Sequence, residues 1–250
     1  MNRKICQCLL ASAFLLISAQ VQASCEAEAA PRVNWAGCDK SGLDFSGKDL
    51  SEAVLGKTNL QGTNFTGARL KHADFNFADI SGAVFDKARM QGVRLVHVTA
   101  EKASFKEAIM DDASFSRSEM NQADFRRARL KHAKFYEAKL AGADFTDAFL
   151  QDASFSRAFL VKTVFDGADL SQAEMKSVSA ESASFKKANM TAAVLDEADL
   201  KFVDFSGADL SKASMREAII DDAIFDDAKL GRAMWFDLKR CRASSVGSCQ

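Results

Sequence analysis

The side chains of this chain that could do chemistry are few and far apart. His72, His97 and His132 are the only imidazoles in 250 residues. They could serve as bases or metal ligands if a fold brought them together. Six cysteines offer thiolate chemistry or disulfides: Cys6, Cys8, Cys25, Cys38, Cys241 and Cys249. The acidic runs Asp111-Asp112 and Asp226-Asp227 lack the alternating spacing of a calcium loop. No Gly-rich loop opens a helix in the manner of a phosphate cradle. Catalysis therefore depends on whether the backbone makes these scattered groups converge.

The backbone is dictated by a step of five. From Phe45 to Trp235 every fifth residue is large and apolar, apart from Ala100 and Ala180. These 39 positions hold 14 Phe, 14 Leu, 6 Met, 2 Ile, 1 Trp and 2 Ala. A second regular position, usually Ala, stands two residues earlier, as at Ala68, Ala73 and Ala78. A helix would rotate the large residue by roughly 140° per step and scatter it. A continuous strand would throw it onto alternate faces. A short extended piece closed by a tight turn every five residues keeps both the small and the large residue pointing inward. Nine of the 13 Gly, Gly47, Gly62 and Gly142 among them, fall within the repeat at the last position of the five, a corner. The one Pro, Pro31, precedes the repeats, as expected if ladder N–H groups are needed throughout.

Folding the sequence by twenties sets the number of sides. Phe45, Phe65, Phe85 and every twentieth residue to Phe225 are all Phe, while the column from Leu50 contains only Leu and Met. "DASFSR" at 112–117 returns at 152–157, and "ARLKHA" at 68–73 returns at 128–133; both offsets are multiples of twenty. Four sides of five residues per coil follow. The repeat, written as "ADLSQ" at 168–172, "ADLSK" at 208–212 and "ADFTD" at 143–147, resembles the pentapeptide-repeat family. That resemblance implies an all-β fold, a right-handed quadrilateral parallel β-helix of about ten 20-residue coils. At about 4.8 Å per layer, the rod is about 48 Å long.

The ends read differently. Residues 1–23 have Arg3 and Lys4, an apolar stretch from Leu9 to Ile17, and Val21-Gln22-Ala23, the pattern of a secretory signal peptide. Its removal takes Cys6 and Cys8 away and leaves 31 basic against 34 acidic residues, a net −3. The expected layout is a cap over 24–40, the repeat over 41–235, and a second cap over 236–250. Disulfides need Cα atoms within about 7 Å, so a rod of the implied length permits only Cys25–Cys38 and Cys241–Cys249. An exported protein in the bacterial periplasm or beyond suits them. Lipidation of Cys25 is the alternative, with Gln22 where an aliphatic residue is wanted. Trp35 and Trp235 stand in one column, one at each end, as lids over the core or as a partner contact at the tip.

On this frame the chemistry disperses. All three His are corner residues, and His72 and His132 lie three coils apart, about 14 Å by layer spacing, too far to share a metal. No enzyme activity, catalytic residue, metal or cofactor is expected. The surface offers a basic edge instead: Arg69, Lys71, Arg89, Arg129 and Lys131 on one wall, and Arg94, Arg117, Lys134 and Arg157 on the next. Asp111, Asp112 and Asp152 interrupt it. Acidic residues gather later, at Asp196, Glu197, Asp199, Asp221, Asp222, Asp226 and Asp227. Phe77, Tyr136, Phe149, Phe159, Val161 and Phe202 should point outward, while Ala100 and Ala180 thin the core. The expectation is an exported, non-catalytic interaction or structural scaffold, a monomer without a membrane span, whose partner is a protein or an anionic envelope component. The resemblance also brings in the family's DNA-mimicking gyrase-binding proteins, which protect gyrase from quinolones. A signal peptide, a net −3 and a basic edge oppose that activity and any nucleic-acid partner.

Overall fold

A computed structural model of the chain describes residues 23–250. The expected signal peptide therefore lies outside the described residues, apart from Ala23. Among them there is no helix, and no strand extends beyond single bridge residues. Parallel bridges instead join every fifth residue to the one twenty positions on, as in Asn34↔Val54, Asp124↔Asp144 and Ser214↔Met234. A turn separates successive bridges every five residues. The chain thus coils as a repeat β-helix with four corners per 20-residue turn. The first wall is the one bearing Phe45 and every twentieth residue after it, and the second, third and fourth bear Leu50, Leu55 and Leu60.

Backbone hydrogen bonds explain the register. Leu50 N–H donates to Arg69 C=O in the coil above at 2.7 Å, and Glu52 N–H donates to Lys71 C=O at 2.8 Å. Val54 N–H reaches Val33 C=O in the coil below at 2.9 Å, while Ala53 N–H closes the turn on Leu50 C=O at 3.1 Å. Four of five N–H groups in each pentapeptide are thereby placed. The fifth, just after the large residue, is taken by Asp or Asn at some turns only, and Gln91 and Glu101 N–H have no acceptor among the described residues. Where Asp or Asn precedes the large residue, it serves its own turn, as Asp79 accepts from Ser81 N–H at 3.0 Å and Asp144 from Thr146 N–H at 2.9 Å. At some turns where it is missing there, an Asp or Asn one coil below reaches up. Asp86 accepts from Lys106 N–H at 3.2 Å, and Asn121 from Ala141 N–H at 3.0 Å.

The corner residue is left-handed at nearly every turn whether or not it is Gly. Gly47 has φ 66° and Gly142 φ 67°, but His132 sits at 59°, Phe202 at 57° and Ala192 at 59°. A positive φ confined to the third residue is the requirement of a type II turn. Most corners therefore carry the strain of a side chain in this region, a cost of about 1–2 kcal/mol each.

Inside, the Phe column is a stack. Phe125 and Phe145 lie 4.6 Å apart at 2°, and Phe145 and Phe165 lie 4.9 Å apart at 9°. A shorter stack, Phe115, Phe135 and Phe155, faces it edge-on, with Phe125 and Phe135 at 89°. Rings one layer apart stack in parallel, and rings on neighbouring walls meet as T-shapes, both favoured arrangements. Polar intruders at the small inward position are satisfied: Thr163 Oγ1 donates to Leu140 C=O at 2.9 Å, and Thr58 Oγ1 to Trp35 C=O at 2.8 Å.

The two ends differ. Trp35 is fully buried, donates from Nε1 to Ala27 C=O at 3.1 Å, and lies 4.5 Å beneath the Lys40 ammonium. Cys25 and Cys38 are bonded across a Cα separation of 5.5 Å, and Cys241 and Cys249 across 4.8 Å. The bridge ladder already includes Asn34, inside the segment expected as a cap. At the far end residues 239–247 turn back and run antiparallel over the last coil, pairing Met234 with Arg240 and Lys229 with Val246. That strand covers the second and third walls only. Trp235 is partly buried and packs against the end of the core, its ring 5.1 Å from Phe225.

Two outcomes are expected from this architecture. A Cβ on Gly47 would meet nothing within 4 Å, so Gly47→Val should cost about 1–2 kcal/mol of stability through backbone conformation alone, measurable by denaturant unfolding. Acid should also destabilise the rod. The Ser46 N–H and then its hydroxyl hold the Asp44 carboxyl below its ordinary 3.8, and the Ser51 hydroxyl and then its N–H do the same for Asp49. A depressed folded value contributes stability that is complete above the ordinary carboxylate range and disappears as pH falls through the lowered value. Unfolding free energy should therefore decline below about pH 4, and Asp44→Asn, which keeps the acceptor, should shallow that decline.

Candidate interaction surface

The body presents its chemistry only as ladders. A side chain on a wall has as neighbours the residues twenty above and twenty below, and ion pairs run along that axis. Arg69 pairs with Asp49 at 3.7 Å, Arg117 with Glu137 at 3.0 Å, Arg157 with Glu137 at 3.6 Å and Arg129 with Asp111 at 3.1 Å. Arg94 pairs with Asp74. Five of the nine residues on the basic edge are thus neutralised by a carboxylate one coil away. Lys71, Lys131 and Lys134, together with Arg89, have no ion-pair partner among the described residues. All of these pairs are exposed, and such pairs contribute little stability.

The outward aromatics are where they were expected and stand beside these charges. Phe149 is 49% exposed and follows Arg129 in the second-wall ladder. Arg129, Lys131, Phe149, Gln151 and Asp111 line one shallow depression. Phe159, 50% exposed, lines a second with Arg117, Arg157, Glu137 and Lys139 at the corner of the third and fourth walls. There Arg157 donates to the Tyr136 hydroxyl at 3.2 Å, and the Arg117 guanidinium lies 5.9 Å from the Tyr136 ring. The Tyr136 hydroxyl first, and then Arg117, hold the Glu137 carboxyl below its ordinary value. Phe202 is exposed and Val161 half-buried on the fourth wall, outside both depressions.

The histidines are separated but not idle. His132 lies 3.3 Å from Asp112 and 3.7 Å from Asp152, and the His97 ring stacks on Phe77 at 5.1 Å. Among the described residues no cluster of His, Cys, Asp or Glu is arranged to hold a metal ion. The sequence reading missed the Phe77–His97 stack and the charged depression formed by Lys106, Arg126, Arg127 and Asp147 on the first wall. The signal for both was the offset of twenty, applied to corner residues as well as to the core.

The family model described as pentapeptide repeat region matches residues 89–165. A second, pentapeptide repeats (8 copies), matches 49–86, 148–186, 173–211 and 198–233. Solved structures of similar proteins include HetL, a pentapeptide repeat protein involved in heterocyst differentiation regulation from the cyanobacterium Nostoc sp. strain PCC 7120. It is 26% identical, with 84% of this chain and 90% of that one covered and a TM-score of 0.34. A pentapeptide repeat protein from the Arabidopsis thaliana thylakoid lumen is 30% identical over 46% of this chain and 70% of that one, with a TM-score of 0.32. QnrB1, a plasmid-mediated fluoroquinolone resistance protein, is 17% identical over 75% of this chain and 86% of that one, with a TM-score of 0.46. Among curated proteins none matches the chain.

Proposed function

This chain belongs to the pentapeptide repeat family, and from that premise we propose that it is an exported, non-catalytic scaffold that acts by binding a partner along its walls. The observation that carries the reading is the half-exposed Phe149 standing with Arg129 and Lys131 in one open depression. An aromatic ring beside a cation with no carboxylate of its own suits a protein or an anionic envelope component. Reactive groups stay apart on this frame, because each wall fixes its side chains at layer spacing and none turns inward toward a common point. Two disulfides at opposite ends support export, since such bonds persist in oxidising compartments. Among the described residues no helix is long and apolar enough to cross a membrane.

The gyrase-binding reading implied by the resemblance asks for a continuous anionic surface. Here cations interrupt the walls at Lys71, Arg89, Lys131 and Lys134, and export would remove the chain from a cytoplasmic enzyme. The deciding experiment is affinity capture from the cell envelope, repeated with Arg129→Glu, Lys131→Glu and Lys134→Glu combined. Loss of a captured partner is the expected result. Capture that survives the reversal contradicts a site on this edge, and protection of gyrase from a quinolone in a supercoiling assay would replace the reading altogether.

A further inference from the structure

One corner of the rod is built differently from the other three. From Lys57 to Glu217 the turn between the third and fourth walls holds a side chain at every coil and never Gly, with φ between 55° and 62°. Each of the other corners is relieved by Gly somewhere along the body, as at Gly67, Gly92 and Gly142. Left-handed side chains kept where Gly would remove the strain point to a use for the side chains themselves. Beside this corner ladder runs a second, Glu119, Lys139 and Phe159, at the edge of the fourth wall. The depression that holds Phe159 and Glu137 lies between the two ladders and extends to His97 and Glu119. From His97 to Arg157 it spans three layers, about 14 Å.

The groove is aromatic at its ends and polar in its middle. At the lower end the exposed Phe77 ring, one coil below, backs the His97 ring at 5.1 Å and 6°. At the upper end stands the half-exposed Phe159. Between them donors and acceptors alternate along both ladders. Glu137 lies between Arg117 at 3.0 Å and Arg157 at 3.6 Å, and Lys139 is paired with Glu119. The Tyr136 hydroxyl and then Arg117 keep the Glu137 carboxyl an ionised acceptor. Three cations, Arg117, Lys139 and Arg157, against two carboxylates leave the groove a formal +1 with His97 neutral.

A polyanion gains little from a groove so close to neutral. An extended peptide finds no backbone donors to pair with, because the N–H groups of Arg117, Glu137, Lys139 and Phe159 are all spent within the rod. A neutral oligosaccharide matches each feature. The C–H face of a pyranose packs on an aromatic ring. Its hydroxyls both donate and accept, and so suit cations and carboxylates set side by side. An extended glycan also advances by about one sugar per layer. We propose that this corner is a binding groove for a neutral, extended oligosaccharide of about three sugars. Phe159 stacks on one sugar face and the His97–Phe77 pair on another, while Glu137, Arg117 and Lys139 bond the hydroxyls between. The groove lies away from the depression of Phe149 and Lys131, and its ligand is independent of any partner bound there.

Isothermal titration of the full chain with two neutral tetrasaccharides, cellotetraose and the N-acetylglucosamine tetramer, tests this, with polygalacturonate as the acidic comparison. At least one neutral tetramer should bind, and its monosaccharide should bind at least about tenfold more weakly. Added salt should leave the affinity unchanged, since no charge on the ligand is screened. Phe159→Ala should weaken binding at least about tenfold, whereas Phe159→Tyr, which keeps the ring face, should not. Arg129→Glu with Lys131→Glu, on the second wall, should change nothing. Binding of neither tetramer, preference for polygalacturonate, loss with Phe159→Tyr or loss with the second-wall pair overturns the proposal. Because a substituted chain could misfold, the side-chain resonances of the unsubstituted protein supply a second reading. Those of Phe77, His97 and Phe159 should move as tetramer is added, and movement confined to Phe149 or Trp35 also overturns the proposal.

Discussion

Everything in this molecule depends on the backbone ladder between coils. An N–H group buried between layers needs a partner, and each coil has none within itself except at its corners. Leu130 N–H therefore looks to Phe149 C=O above at 2.7 Å, and Arg129 N–H to Ala108 C=O below at 2.9 Å. Repeating this demand without insertion holds the period at five and the offset at twenty. One added residue would turn an inward Phe outward and move every later bond off its acceptor. The Asp and Asn residues belong to the same accounting, because where they are present, as Asp49 and Asp79 are, they take the amide that the ladder cannot reach.

The ladder also decides where function can reside. With the inward positions apolar apart from a few Thr and Ser that are hydrogen-bonded within the wall, no enclosed polar site is left among the described residues. With every outward position held at layer spacing, opposite charges settle into pairs along the rod axis, and a basic stripe read from sequence becomes largely neutral. What remains distinctive is the set of departures: Phe149 and Phe159 beside cations, and a last coil whose ladder stops short on two sides.

The inward faces and the coil length were legible because they rest on periodic apolar residues, and a single column of ten Phe shows both. The cysteine pairs were legible because a long rod leaves each thiol one neighbour. The corners were less so: Gly47 announces a left-handed turn, but His132 and Phe202 adopt the same φ without any compositional signal, since the ladder imposes it. The Arg129–Asp111 and Arg117–Glu137 pairs were hidden behind offsets of 18 and 20 that separate them in the chain. The half-covered last coil was not legible at all, because it depends on the path of residues 239–247 rather than on their types.

Site-resolved amide hydrogen exchange tests the central claim most directly. The ladder account expects slow exchange at Phe125, Leu130 and Phe145, whose N–H groups reach the next coil. It further expects a division among the residues that follow each large one. Ser51 and Ser81, held by Asp49 and Asp79, should exchange more slowly than Gln91 and Glu101, whose N–H groups have no acceptor among the described residues. Protection that runs evenly through all five positions, or fast exchange at the core Phe amides, would contradict it.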